Sequence, residues 1–352
     1  MIKVNETPVR TSRNYNINNI KLEDVEIPKK IPEFNGKTVI TDSNKVDIYP
    51  FAMDNNLTYG ISPELTELVK SHVNENLQLV INSKRNSNTK VIYEINNKNK
   101  ILIDLLEIIA EEDTKSTVVI KYMSNEDVEA FHNGIIKIKA KQNAKIDVII
   151  INLLNTKSNN FLAIENVLEN NAKVNYTIVD FGGKNSITNY YSNLIGEGAD
   201  NSLNTIYIGK ENQVLDLNYI AELRGEKSNI DIEVQGALKD KAKKHFKGTI
   251  DFKKGCKKAT GNENESCMLL SNTAKSIALP MLLCSEEDVK GNHSTSAGKI
   301  GEKELFYIMS RGFELKEAMK LMVRAKFNKI LENIQDENLR QEILEEIDKR
   351  LE

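Results

Sequence analysis

Lys115-Ser116-Thr117-Val118, Asn143-Ala144-Lys145-Ile146, Asn171-Ala172-Lys173-Val174, Asn201-Ser202-Leu203 and Lys227-Ser228-Asn229-Ile230 are five versions of one short phrase. Their apolar anchors, Val118, Ile146, Val174, Leu203 and Ile230, stand 28, 28, 29 and 27 residues apart. A second series, Ile135, Ile164, Tyr191, Ile220 and Phe246, trails the first by 16 to 18 residues, at spacings of 29, 27, 29 and 26. A coil of ~28 residues holds two strands of about 6–8 residues and two turns, at ~3.3 Å per strand residue. No segment between about residues 78 and 253 has the apolar period of a helix. The superperiod therefore predicts a parallel β-helix, with equivalent strands stacked ~4.8 Å apart. The small residues and Asn before each anchor suit tight corners whose side chains hydrogen-bond from coil to coil. The competing reading is an antiparallel sandwich, whose turns would recur every ~8–12 residues without a superperiod.

The period changes on either side. The first ~60 residues are polar, broken by Pro8, Pro28, Pro32 and Pro50. Ser62-Pro63 then reads as the N-cap and first residue of a short helix that buries Leu65, Leu68 and Val69. Beyond the repeats, residues 302–311 form a helix ended by Gly312, and Ala318, Leu321, Met322, Ala325, Ile330, Leu331 and Ile334 keep helical spacing. Leu339, Ile343, Ile347 and Leu351 do the same after Asp336. These shifts divide the chain into a mixed region (1–76), a solenoid (77–296) and a helical domain (297–352). The helical domain has two readings, a cap for the solenoid end or a docking surface for another protein.

Composition narrows the function. The 352 residues carry 48 Lys+Arg against 51 Asp+Glu, a net charge of -3, so nothing draws the chain as a whole to nucleic acid or an anionic membrane. No apolar run approaches the ~20 residues of a membrane span, and the N-terminus has no apolar export core, so a cytoplasmic protein is expected. The 43 asparagines favour turns over long helices. No G-x-x-x-x-G-K-[ST], H-E-x-x-H, C-x-x-C or G-x-S-x-G occurs, and the lone Gly196-Glu197-Gly198 reads as a corner. His72, His132 and His245 read as packing or polar residues. Cys256, Cys267, Cys284 and His293 fall within one stretch, where the apolar repeat fades. Thiolate and imidazole suit iron, zinc or copper, but the spacings match no closed zinc site.

His293-Ser294-Thr295-Ser296-Ala297-Gly298-Lys299-Ile300-Gly301-Glu302-Lys303-Glu304-Leu305-Phe306-Tyr307-Ile308-Met309-Ser310-Arg311-Gly312 resembles the stretch H-[EG]-A-T-x-x-x-[IL]-x-E-x-x-L-F-Y-x-x-S-R-G of the SufB/SufD family of iron–sulfur cluster assembly proteins. Residues 314–324 continue the likeness, and Asn5-Glu6-Thr7-Pro8-Val9-Arg10-Thr11 resembles the start of short SufD-like members. The resemblance implies a right-handed parallel β-helix between an N-terminal region and a C-terminal helical domain. It also implies a non-catalytic scaffold subunit of the SUF complex that builds and transfers nascent clusters. The ATPase SufC would dock on the C-terminal helices, around Leu305, Phe306, Tyr307, Arg311 and the 318–334 face with Leu321 and Met322. A SufB paralogue, or a second copy, would pair through the β-helix. ATP handling by the partner accounts for the missing phosphate loop.

Two departures point to a SufD-like rather than a SufB-like member. Ser294 replaces the Glu that follows the His in SufB, and Lys275 and Ser276 stand near Pro280, where SufB has a functional Cys. By the resemblance His293 is the candidate contact to iron or to a transient cluster at the subunit interface, with no permanently bound cofactor expected. Cys284 is added as a second ligand on proximity alone, and Cys267 aligns loosely with a family cysteine. Two other readings stand beside this one. A purely structural subunit would contribute no ligand. A β-helix enzyme of the polysaccharide lyase or acyltransferase type would need a carboxylate cluster with calcium, or the ~18-residue coil of hexapeptide repeats.

Overall fold

The computed structural model describes residues 1–11, 17–42, 44–51, 57–125 and 128–352. Strands β1 (Ile2–Val4) and β2 (Ile20–Leu22) pair antiparallel. The rest of the β structure is two nine-stranded sheets. The first contains β3 (Lys37–Thr41), β6 (Ser87–Ile95), β8 (Lys115–Ser124), β10 (Lys145–Leu153), β12 (Lys173–Asp180), β14 (Asp200–Gly209), β16 (Asn229–Leu238), β18 (Ala259–Leu269) and β20 (Val289–Lys299). The second contains β4 (Val46–Tyr49), β5 (Glu75–Ile81), β7 (Ile101–Ala110), β9 (Phe131–Ala140), β11 (Asn159–Leu168), β13 (Asn185–Leu194), β15 (Val214–Leu223), β17 (Lys243–Phe252) and β19 (Lys275–Cys284). Only β3 and β4, at one end, pair antiparallel within these sheets. Four helices complete the described residues: α1 (Pro63–His72), α2 (Glu302–Ser310), α3 (Leu315–Leu331) and α4 (Glu337–Leu351). Successive strands alternate between the sheets, which is the expected parallel β-helix. Register neighbours lie from 26 residues apart (Asn159 to Asn185) to 32 (Lys243 to Lys275).

All five anchors of the first series face the lumen. Their register is less regular than their spacing suggests. Ile146 does pair with Val174, but Val118 pairs with Val148 and Leu203 with Tyr176, two residues away from the anchors. A two-residue slip keeps the same face of a strand, so the apolar pattern cannot detect it. The second series mixes faces. Ile164 and Phe246 point into the lumen, whereas Ile135 packs outward beneath the N-terminal region. The second sheet is buried on both sides, so both parities are apolar and the alternation that fixes phase is lost.

The corners explain the asparagines. Asp113, Asn143, Asn171, Gly198, Lys227 and Lys258 occupy the same corner of successive coils, each with φ between 54° and 66°. Each donates its backbone N–H to the next coil, as from Asn143 to the Asn170 carbonyl (2.9 Å) and from Asn171 to that of Glu197 (2.8 Å). Asn, Asp and Gly tolerate this left-handed conformation best. Gly198 is therefore a corner residue, as its sequence context suggests.

Each outer face has its own cover. α1 and the N-terminal strands bury Leu65, Leu68, Val69, Ile2 and Val4 against Ile103, Leu105 and Phe131 of the second sheet. Ser62 caps α1 through the Leu65 N–H, with Pro63 in its first turn. Asn5, buried and with φ 52°, donates to the Thr188 carbonyl (3.0 Å) and to Asp216 Oδ1 (2.7 Å). On the other side α3 and α4 lay Val323, Phe327, Ile330, Leu331, Ile343 and Ile347 on Val119, Ile149, Ile151, Val179 and Ile206 of the first sheet. The helices thus line the solenoid's flank instead of capping its end. The coils also continue past the point where the apolar repeat fades, through β18, β19 and β20 to Lys299.

Candidate functional site

The end of the solenoid formed by β19 and β20 is uncovered. Each is the last strand of its sheet, and ten of the eleven residues of β20 are exposed. Inside this end two carboxylates and an ammonium enter the lumen. Gly261, Glu263, Glu265 and Cys267 of β18 pair with Ile230, Ile232, Val234 and Gly236 of the preceding coil, so two carboxylates take core positions. Glu265 accepts from the Lys244 ammonium (2.7 Å) and from the Tyr207 hydroxyl (3.2 Å), with both charged side chains fully buried. Neither oxygen of Glu263 has a hydrogen-bond partner, although the residue is only 2% exposed.

Burial, and then the charge of Glu265, pushes the Glu263 carboxyl up from 4.5 to about 8. A carboxyl whose folded value exceeds its unfolded one contributes fully below the unfolded value and loses that contribution as pH rises towards the folded one. Wild-type stability should therefore fall by about 2–3 kcal/mol between roughly pH 5 and pH 8, allowing for relaxation of the interior. Glu263→Gln should flatten that slope, which urea unfolding across the range would measure. An unchanged slope in the variant would place the titration elsewhere.

The residues singled out in the sequence do not converge. His293 lies on β20, in register with Glu263, whereas Cys284 ends β19 on the opposite sheet. The Cys284 thiol donates to the Glu286 carbonyl (2.9 Å). Cys256 and Cys267 are buried, and burial raises both thiols, which disfavours the thiolate a metal requires. Among the described residues, no three His, Cys, Asp or Glu side chains form a group able to hold a metal ion. His132 is a core residue, as expected. Its ring nitrogens meet Asp104 Oδ1 (2.8 Å) and Asn160 Oδ1 (2.6 Å), and Asp104 also accepts from Tyr122 (2.9 Å). His245 is half-buried and desolvation lowers its basicity.

A second uncovered surface lies on α2 and the turn after it. Phe306 is 73% exposed, and Tyr307, Met309, Phe313, Leu315 and Leu321 are exposed with it. The Arg311 guanidinium stacks over the Tyr307 ring at 5.1 Å and donates to its hydroxyl (3.0 Å). Leu305 and Met322 are half-buried. Most of the 318–334 apolar face is turned inward: Ala318, Val323, Phe327, Ile330, Leu331 and Ile334 are buried. That leaves α2, the α2–α3 turn and the Leu321 edge of α3 as the accessible helical surface. Sequence reasoning missed Lys244, Glu263 and Glu265. Their signal was available, since Glu263 and Glu265 alternate on a strand at positions where other coils carry Ile and Val.

The uncovered features of this stacked-coil protein are two sheet edges and an apolar helical surface, which places it in the class of β-solenoids with open edges. This chain is a member of the SufBD family: residues 93–326 match the domain described as "SUF system FeS cluster assembly, SufBD core domain". Over 264 residues it is 23% identical to the iron–sulfur cluster assembly protein SufD of Bacillus subtilis, covering 74% of this chain and 60% of that one. Over 240 residues it is 25% identical to the SufD protein of Escherichia coli, covering 68% and 57%. A SufBD family protein of Pyrococcus horikoshii is 30% identical over 167 residues, 47% of this chain and 36% of the relative. The chain thus spans less than two thirds of the length of these curated relatives.

Proposed function

We propose that this chain is a SufD-like, non-catalytic scaffold subunit in iron–sulfur cluster assembly, working in the cytoplasm. A SufC-type ATPase docks on α2 and the α2–α3 turn, and a SufB-type paralogue or a second copy pairs with the open solenoid end. The nascent cluster is cargo, met by His293 at that end. The observation that carries this reading is the apolar surface from Phe306 to Leu321, uncovered beside a solenoid of the SufBD family. An exposed apolar patch of this kind marks an interaction surface. The edge strands β19 and β20 support the pairing, because each leaves a row of backbone donors and acceptors for a further strand.

Co-purification with co-expressed SufC-type ATPase tests the docking. Phe306→Ala and Leu321→Asp should each abolish capture while leaving the β-sheet circular dichroism intact, because both side chains point to solvent. Undiminished capture by both variants would remove the helical surface from the reading. With SufB and SufC both present, His293→Ala should lower bound iron and sulfide without weakening assembly. Unchanged yields would reduce His293 to a residue of the interface.

A further inference from the structure

The lumen near its open end holds a carboxylate with nothing opposite it. Lys244, the one cation reaching this layer among the described residues, is committed to Glu265. Glu263 instead extends across the lumen over Gly248 of β17, where any Cβ would collide with its carboxylate. Space is kept for the group, yet no donor is supplied. A buried carboxylate in that position is satisfied only by a proton or by a cation.

One layer further out stand the register neighbours of these two residues. His293 follows Glu263 along the first sheet, and Pro280 follows Gly248 along the second. Val289 packs into the lumen core, so His293, four residues on in the same strand, shares the lumen-facing side. The imidazole's strand is then ~4.8 Å further along the axis than that of the carboxylate. His293 itself is open to solvent. A carboxylate oxygen with an imidazole nitrogen is a donor pair suited to divalent first-row metal ions. No thiol joins them, since Cys284 lies on the opposite sheet and donates to the Glu286 carbonyl.

We propose that Glu263 and His293 are this chain's two ligands for an iron(II)-class divalent cation held in the mouth of the lumen. The cation enters through the open end, and water or the chain docked there fills its other positions. The inference rests on the reading of this end as the place where iron is handled. It adds Glu263 as a ligand and removes Cys284.

Cobalt(II) is the probe, titrated into the full-length chain under anaerobic conditions and followed by calorimetry and visible absorption. One saturable event is expected, weakened roughly tenfold or more by Glu263→Gln and by His293→Ala, and unchanged by Cys284→Ser. The Gln is close to isosteric and His293 is exposed, so both variants should keep the parent's circular dichroism. Absence of saturable binding, or binding indifferent to Glu263→Gln, overturns the proposal. A chain that captures the ATPase but ignores cobalt would sink this inference and leave the proposed function standing. Cobalt binding through Glu263 and His293 without capture of the ATPase would do the reverse.

Discussion

Replacing Lys244 by methionine is expected to cost the fold about 3–5 kcal/mol. Both Lys244 and Glu265 are fully buried, with Nζ 2.7 Å from Oε1. The ammonium also lies 5.9 Å from the Tyr207 ring centroid and 5.8 Å from that of Phe246. Without it, Glu265 keeps only the Tyr207 hydroxyl, and a second carboxylate, Glu263, stands two residues away on the same face of β18. Removing one partner strands the other charge where water cannot reach it. Glu265→Leu should be damaging for the same reason, because it strands the ammonium. The double variant Lys244→Met/Glu265→Leu removes both charges at similar volume and should recover most of the loss. Urea unfolding of the two single variants and the double measures the coupling. Single variants within about 1 kcal/mol of wild type would mean that water reaches this layer of the lumen.

The same two carboxylates mark where sequence reading stopped. Between β8 and β17 most lumen positions carry Ile, Val, Leu or aromatic residues, with His132, Asn160 and Asp180 as a hydrogen-bonded minority, so the coil period is still visible as an apolar period. Further on, β18 carries Glu263 and Glu265, and β20 carries His293 and Thr295, at lumen-facing positions. There the apolar signal fades in β18 and β20 while the backbone pattern continues, and the apolar residues 277–283 of β19 stand alone between two polar strands, too isolated to show the period. The corners were legible because left-handed φ selects Asn, Asp and Gly. Even so, Lys227 and Lys258 occupy the same corner and carry no such signal. The phase of the second sheet was not legible, since its outer face is covered by the N-terminal strands and α1.

The helical tail shows a different limit. Helical periodicity identified α3 and α4, and the structure adds the cap of α4 at Asp336, whose side chain accepts from the Leu339 N–H (3.1 Å). Periodicity reports that a face is apolar but not what covers it. The solenoid's own first sheet supplies Val119, Ile149 and Ile206 to bury that face. The surface free for a partner is therefore the shorter, less periodic α2, whose side chains include none that are buried. The resemblance around Phe306 located this region, whereas hydropathy alone favoured the larger and covered one.

Gly225→Ala is expected to destabilise the chain by about 3 kcal/mol or more, through backbone and not side-chain crowding. Gly225 sits at a coil corner directly above Gly196, and an added Cβ would fall on the Gly196 carbonyl oxygen. Gly196 is in turn stacked on the backbone of Glu169, so it has no room to withdraw. Both corner glycines donate to the second sheet, Gly225 to the Leu194 carbonyl and Gly196 to that of Leu168, each at 3.0 Å. Relieving the clash means lifting one coil off the next, which lengthens several ladder hydrogen bonds at once. Gly255→Ala is the control. That residue has φ 101°, but nothing lies within 4 Å of its added Cβ, so only the conformational penalty of about 1 kcal/mol applies. Chemical unfolding should separate the two variants, with Gly225→Ala the more damaging although Gly255 has the less tolerant backbone. Equal losses would mean that conformational freedom, and not the close stacking of coils, is what the corner requires of its glycines.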